Sequence, residues 1–147
     1  MKTHDDIVYF AGLFDGEGCI MITKPSNNKP RCHTLTIHLY NTHLPTLVYI
    51  RDIFGGCLRG THPDRIALPI RRPQYVLEWY GSTASAILIE VYPFLKIKRE
   101  EAEYAIHFQS LRKTPQQCRA GMTSEEFQNR EGIRLKVKEL KKVAYFM

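Results

Sequence analysis

Cysteine is sparse in this chain. The four present, Cys19, Cys32, Cys57 and Cys118, include no C-x-x-C pair and no nearby histidine at zinc-site spacing. That excludes a disulfide framework and a zinc knot, and it fits reduced thiols in an intracellular compartment, cytoplasm or organelle matrix, not a secreted protein. Long apolar runs are also missing, so no segment reaches membrane-spanning length and no membrane partner is expected. The opening residues Met1 to Asp6 lack the apolar stretch of a signal peptide. Nor is there an excess of acid: 21 Lys and Arg stand against 15 Asp and Glu, a net charge of +6 and a pI near 9.2. That balance suits a polyanionic partner, although mildly basic soluble proteins are common. With 147 residues, 44% of them hydrophobic and 24% charged, the chain is expected to form one globular domain over 1–147. No internal repeat is visible.

What is present is concentrated in Tyr9-Phe10-Ala11-Gly12-Leu13-Phe14-Asp15-Gly16-Glu17-Gly18-Cys19-Ile20. Ile7, Val8, Phe10, Ala11, Leu13 and Phe14 leave a helix over about 5–17 almost no polar face, so it must be covered on more than one side. Gly12 and Gly16 lie four apart and share a face. Each costs a helix about 1 kcal/mol relative to Ala, which calls for a compensating close approach of backbones, such as packing against a second copy of the same helix. Glu17 then places a carboxylate at the negative end of the helix dipole, unfavourable without a cation. Gly18 stops the helix.

Downstream, Cys19 to Lys24 reads as a strand with Ile20 and Ile22 inward and Met21 and Thr23 outward. A turn cluster, Pro25 to Pro30, leads to a second strand. Leu35, Ile37 and Leu39 line one of its faces, and Thr34, Thr36, His38 and Tyr40 the other. Thr42 to Phe54 is a helix with Pro45 in its first turn. Cys57 to Thr61 and Tyr75 to Tyr80 are strands flanking a proline-broken loop that carries Arg65, Arg71 and Arg72, a composition suited to phosphate contact or to plain solvation. Gly81-Ser82-Thr83 punctuates the chain before a helix from about Thr83 to Tyr92. A further helix spans Arg99 to about Leu111, Thr114 to Gly121 is linker-like, and Thr123 caps a last helix within a C-terminal extension over about 122–147. Its Arg130, Arg134, Lys136, Lys138, Lys141 and Lys142 read as a solvated face. The order predicts an α+β fold with helices on one face of a four-stranded antiparallel sheet.

The acidic helix resembles the LAGLIDADG motif of homing endonucleases, with Glu17 in the place of the motif's second acid. Trp79 to Lys98, with Ala84-x-x-Ile87-Leu88 and Pro93-Phe94-Leu95-x-x-Lys98, resembles the second block of that family, and the likeness runs over roughly Ile7 to Ala105. The resemblance implies the αββαββα core, whose sheet forms a DNA-binding saddle in a homodimer, because a single motif serves one protomer. It places Ala11, Gly12, Asp15 and Gly16 at the two-fold interface. It implies a divalent metal, Mg²⁺ with Mn²⁺ substituting and Ca²⁺ binding without cleavage, held by Glu17 and the Gly16 carbonyl, and no small-molecule cofactor. Lys98 and Asn41 complete the implied catalytic set. Met21, Thr23, Thr34, Thr36, His38, Arg59 and Thr61 become base readers, with Arg65, Arg71 and Arg72 on the DNA as well. The implied activity is intron-homing: hydrolysis of phosphodiester bonds in both strands of double-stranded DNA at a long, near-palindromic site. An RNA maturase or a catalytically silent DNA-binding protein on the same scaffold is the alternative. Glu17 departs from the commoner Asp and moves the carboxylate out by about 1.5 Å, one carbon–carbon bond.

Overall fold

The computed structural model describes residues 1–24, 33–61, 73–111 and 123–143. Helix α1 spans His4–Glu17, opened by a capping box between Thr3 and Asp6. Strands β1 (Gly18–Thr23) and β2 (Thr34–Asn41) follow, then α2 (Leu44–Phe54), β3 (Cys57–Thr61), β4 (Gln74–Tyr80) and α3 (Gly81–Val91). After a 3₁₀ turn over Tyr92–Phe94 come α4 (Arg99–Ser110) and α5 (Ser124–Val143). The four strands form one antiparallel sheet in the order β1-β2-β4-β3.

Strand alternation decides which side is covered. Ile20, Ile22, Leu35, Ile37, Leu39, Leu77 and Trp79 face the helices and are buried with Phe10 and Phe14 of α1 and Leu88 of α3. Each such side chain withdrawn from water contributes about 1.5–3 kcal/mol, so this layer is the main source of stability. The single tryptophan, Trp79, satisfies its indole N–H at the Phe54 carbonyl, 3.2 Å away. Gly56, at φ +106°, lies so close to that indole that a Cβ would meet it at 2.8 Å.

Two helix starts differ from the sequence reading by two residues, each for a local reason. Helix α2 begins at Leu44, not Thr42, because the Asn41 Oδ1 accepts the His43 N–H at 2.8 Å and holds a turn there. Helix α3 begins at Gly81 and not Thr83: the strand turns straight into the helix at Gly81, whose φ of +55° lets the chain change direction without a loop. The expected loops over 25–30, 62–74 and 114–121 lie outside the described residues, apart from Pro73 and Gln74 at the end of the second. No helix among the described residues is long and apolar enough to cross a membrane.

Helix α5 packs along α4 and against edge strand β1. It buries Val137 in the core and covers an edge that would otherwise present unpaired backbone groups.

Candidate functional site

Asp15 and Glu17 are two positions apart on α1 and therefore point to nearly opposite sides. Glu17 ends the helix with its carboxylate exposed. Asp15 turns inward and is buried. Its carboxylate accepts the backbone N–H groups of Lys96 at 2.7 Å, Ile97 at 3.2 Å and Lys98 at 3.0 Å. The carboxylate of α1 thereby satisfies three successive N–H groups of the segment that leads into α4 and ties the two helices together. The same staple brings the Lys98 ammonium to the Asp15 carbonyl oxygen at 2.6 Å, placing a cation on the negative end of the α1 dipole. Glu17 and Lys98 thus meet at one helix end. The pairing of Gly18 with Leu39 puts the end of β2, and with it Asn41, at the same end of the sheet. Asn41 is half-buried and its Oδ1 already serves the His43 turn.

The outer stripe of α1 is bare. Gly12 and Gly16 are exposed, and a Cβ on either would meet nothing within 4 Å. Val8 and Tyr9, 41% and 49% exposed, continue the stripe toward the N-terminus. The two other residues expected at this interface lie elsewhere. Ala11 is 0% exposed and packs into the protomer's own core, one residue around the helix from Gly12. Asp15 is committed to the backbone N–H groups of its own chain.

On the sheet face away from the core, register aligns Cys19, His38, Glu78 and Cys57 across all four strands. The next row holds Met21, Thr36 and Tyr80. Thr23 pairs with Thr34, and Arg59 with Val76. Six of the expected base readers on strands therefore share this face by register, Met21, Thr23, Thr34, Thr36, His38 and Arg59, and the backbone of Thr61 pairs with Gln74. Thr36 is buried between Met21 and Tyr80, so its hydroxyl is more enclosed than strand alternation implied. Arg65, Arg71 and Arg72 lie outside the described residues.

Charges on this face are paired. Glu78 accepts the Tyr80 hydroxyl at 2.5 Å, forms an ion pair with Arg59 whose Nε lies 3.3 Å from the same carboxylate, and faces His38 Nε2 at 3.7 Å. His38 is held on its other nitrogen by the Tyr40 hydroxyl at 3.0 Å. Burial pushes the His38 imidazole below its usual value, against the pull of Glu78 and with the push of Lys141. Arg59 is raised further by Cys57 and Glu78. Sequence reasoning did not single out Glu78, Tyr80 or Lys141. The alternation Tyr75-Leu77-Trp79 inward, Val76-Glu78-Tyr80 outward carried the signal for the first two. Nothing in the sequence said that α5 would reach Lys141 over β1 to the Ile20 carbonyl and Cys19 Sγ.

No family model matches the chain, and no curated protein matches it significantly. Solved structures do share its fold. The homing endonuclease I-CvuI, in complex with the I-CreI target in the presence of Mg and with that DNA not cleaved, superposes at a TM-score of 0.71 and 16% identity, over 94% of this chain and 85% of that one. An archaeal intron-encoded homing endonuclease complexed with DNA gives 0.70 at 11% identity, over 92% of this chain and 84% of that one. The LAGLIDADG homing endonuclease I-GzeII, in complex with its DNA target, gives 0.60 at 14% identity, over 92% of this chain but 44% of that one. The fold of this chain is that of the LAGLIDADG homing endonucleases.

Proposed function

We propose that this chain is a site-specific endonuclease that cleaves both strands of DNA with a divalent metal, acting as a homodimer. The observation that carries the reading is the exposed Glu17 carboxylate at the foot of a bare, glycine-bearing stripe of α1, with the Lys98 ammonium held at the same helix end. Packing that stripe on a second copy brings two Glu17 carboxylates together beneath two open sheet faces. One copy covers 85% of the I-CvuI chain but 44% of the I-GzeII chain, consistent with two copies of this fold doing the work of one longer chain.

Two neighbouring carboxylates repel and resist ionising together unless a cation lies between them. Among the described residues no three His, Cys, Asp or Glu side chains gather into a cation site, so a metal must draw on Glu17, the Gly16 carbonyl, the second copy and phosphate oxygens. That sparse, all-oxygen set suits Mg²⁺, which keeps several waters. Mg²⁺ bound there supplies charge neutralisation at the scissile phosphate and eases deprotonation of the attacking water. Glu17 orients that water through its carboxylate. The Lys98 ammonium, fixed at the end of α1, stabilises the charge developing on the phosphate oxygens. Asn41 offers its amide N–H groups to the surrounding water. The sheet face holds the DNA, with Arg59 suited to bidentate contact with guanine.

The test is digestion of a randomised target library with Mg²⁺ by the wild type beside Glu17→Gln. Site-specific cuts by the wild type, reduced at least ~10³-fold in the variant while binding persists, support the proposal. Selection of the same sites without cutting by either protein would leave a silent DNA-binding protein. Binding of structured RNA in preference to duplex DNA would favour the maturase.

A further inference from the structure

An acid on a surface that meets phosphate opposes binding, so Glu78 in the centre of the open face needs an explanation beyond affinity. It is neither solvated nor idle. Its side chain is 13% exposed, while that of its partner Arg59, one strand over, is 62% exposed. Tyr80 donates to Oε2, the Arg59 guanidinium pairs electrostatically with the same oxygen, and Oε1 faces the His38 ring. The ion pair brings Nε of Arg59, not a terminal amino group, nearest to the carboxylate. The terminal amino groups are the two donors that a guanine edge, with its adjacent O6 and N7 acceptors, engages. A free arginine on an exposed strand samples many rotamers and loses that freedom on binding. One held at Nε has lost part of it already.

We infer that Glu78 is a specificity-positioning residue: it fixes the Arg59 guanidinium on the open sheet face for one guanine, and Tyr80 fixes Glu78. The inference rests on the DNA-binding reading above. It assigns to Glu78 no contact with DNA of its own. Negative charge at this place weakens binding to any sequence, yet it sharpens the choice among sequences. Loss of Glu78 therefore moves affinity and discrimination in opposite directions, which a merely structural role does not do.

The experiment is selection of bound duplexes from a randomised library, without metal so that nothing is cut, for the wild type, Arg59→Ala, Glu78→Gln and Tyr80→Phe. Arg59→Ala is expected to lose on the order of 10- to 100-fold preference for guanine at one position in each half-site. Glu78→Gln loses about 10-fold at the same position and binds unrelated DNA a few-fold more tightly, because a carboxylate no longer repels phosphate. Tyr80→Phe loses less, again at that position. An unchanged profile for Glu78→Gln, or loss at a position that Arg59→Ala leaves intact, overturns the inference and would make Glu78 inert or a reader in its own right. A wild type that selects no sequence removes the DNA-binding reading and the inference with it.

Discussion

Among the described residues two surfaces are left uncovered, and they are chemically unlike. The outer stripe of α1 carries Val8, Tyr9, Gly12 and Gly16, with little to hydrogen-bond and, at the glycines, no side chain at all. The outer face of the sheet carries hydroxyls, an imidazole and a guanidinium, already tied into a network around Glu78. A flat apolar stripe gains by excluding water and meeting an identical surface, whereas a preset array of donors gains by meeting acceptors fixed in space. The two surfaces adjoin at one end, where Glu17, Lys98 and Asn41 lie. On the proposed function, chemistry is placed where two kinds of recognition meet and belongs to neither.

The strongest test of that separation is Lys98→Ala. If Lys98 serves the chemical step alone, cleavage falls by about 10²–10³-fold while the dissociation constant for target DNA in Ca²⁺ stays within about two-fold. Equal losses in binding and rate would make Lys98 an outlying part of the DNA face and would blur the comparison. Kinetics under single turnover, beside a binding titration, separates the two.

Gly12→Leu probes the apolar stripe. Nothing within 4 Å of its Cβ obstructs the side chain in one protomer, so folding is expected to survive apart from helix-propensity changes. Between two copies the added bulk forces the helices apart, weakening self-association by about 1–3 kcal/mol, or about 5- to 150-fold. Sedimentation velocity across a dilution series reads this directly. A variant that remains a dimer at the same concentrations would place the interface elsewhere.

The sequence made the buried side of these surfaces plain and their polar detail obscure. Alternation of Leu35, Ile37 and Leu39 placed β2 correctly because burial of apolar area is a local, periodic demand. The glycines of α1 stand open in the protomer, so the close approach read from them is not made within one chain. Ala11 misled because on so apolar a helix the inner and outer faces look alike, and only the direction of the core tells them apart. Asp15 was hidden in another way: its partners are backbone N–H groups of Lys96, Ile97 and Lys98, far along the chain and invisible as residue types. The Glu78 network required the pairing of β4 with β2 and β3, a long-range fact. Lys141 required knowing which face of α5 meets β1.

The smallest expected effect concerns where the open face ends, which α5 decides by covering β1. Glu131 anchors α5: it accepts the His33 Nε2–H at 2.7 Å, just before β2, and the guanidinium of Arg134 beside it on the helix. Chiefly through Arg134, and then through His33, its carboxyl is drawn down to about 2 from the usual 4.5. A depressed carboxyl contributes stability that is full above its unfolded value and is lost as pH falls through the folded value. The contribution is therefore present above about 4.5 and fades toward about 2. Glu131→Gln removes it, leaving His33 and Arg134 with a neutral acceptor. The expected cost at neutral pH is about 1 kcal/mol, and the slope of stability between those two pH values becomes shallower than in the wild type. Denaturant melts at neutral pH and at about pH 3 check both parts. Hydrogen exchange at β1 adds the local one: faster exchange there in Glu131→Gln, with β3 and β4 unchanged, means that this anchor holds α5 over the sheet edge. Unchanged exchange at β1 would assign that covering to the buried Val137 instead.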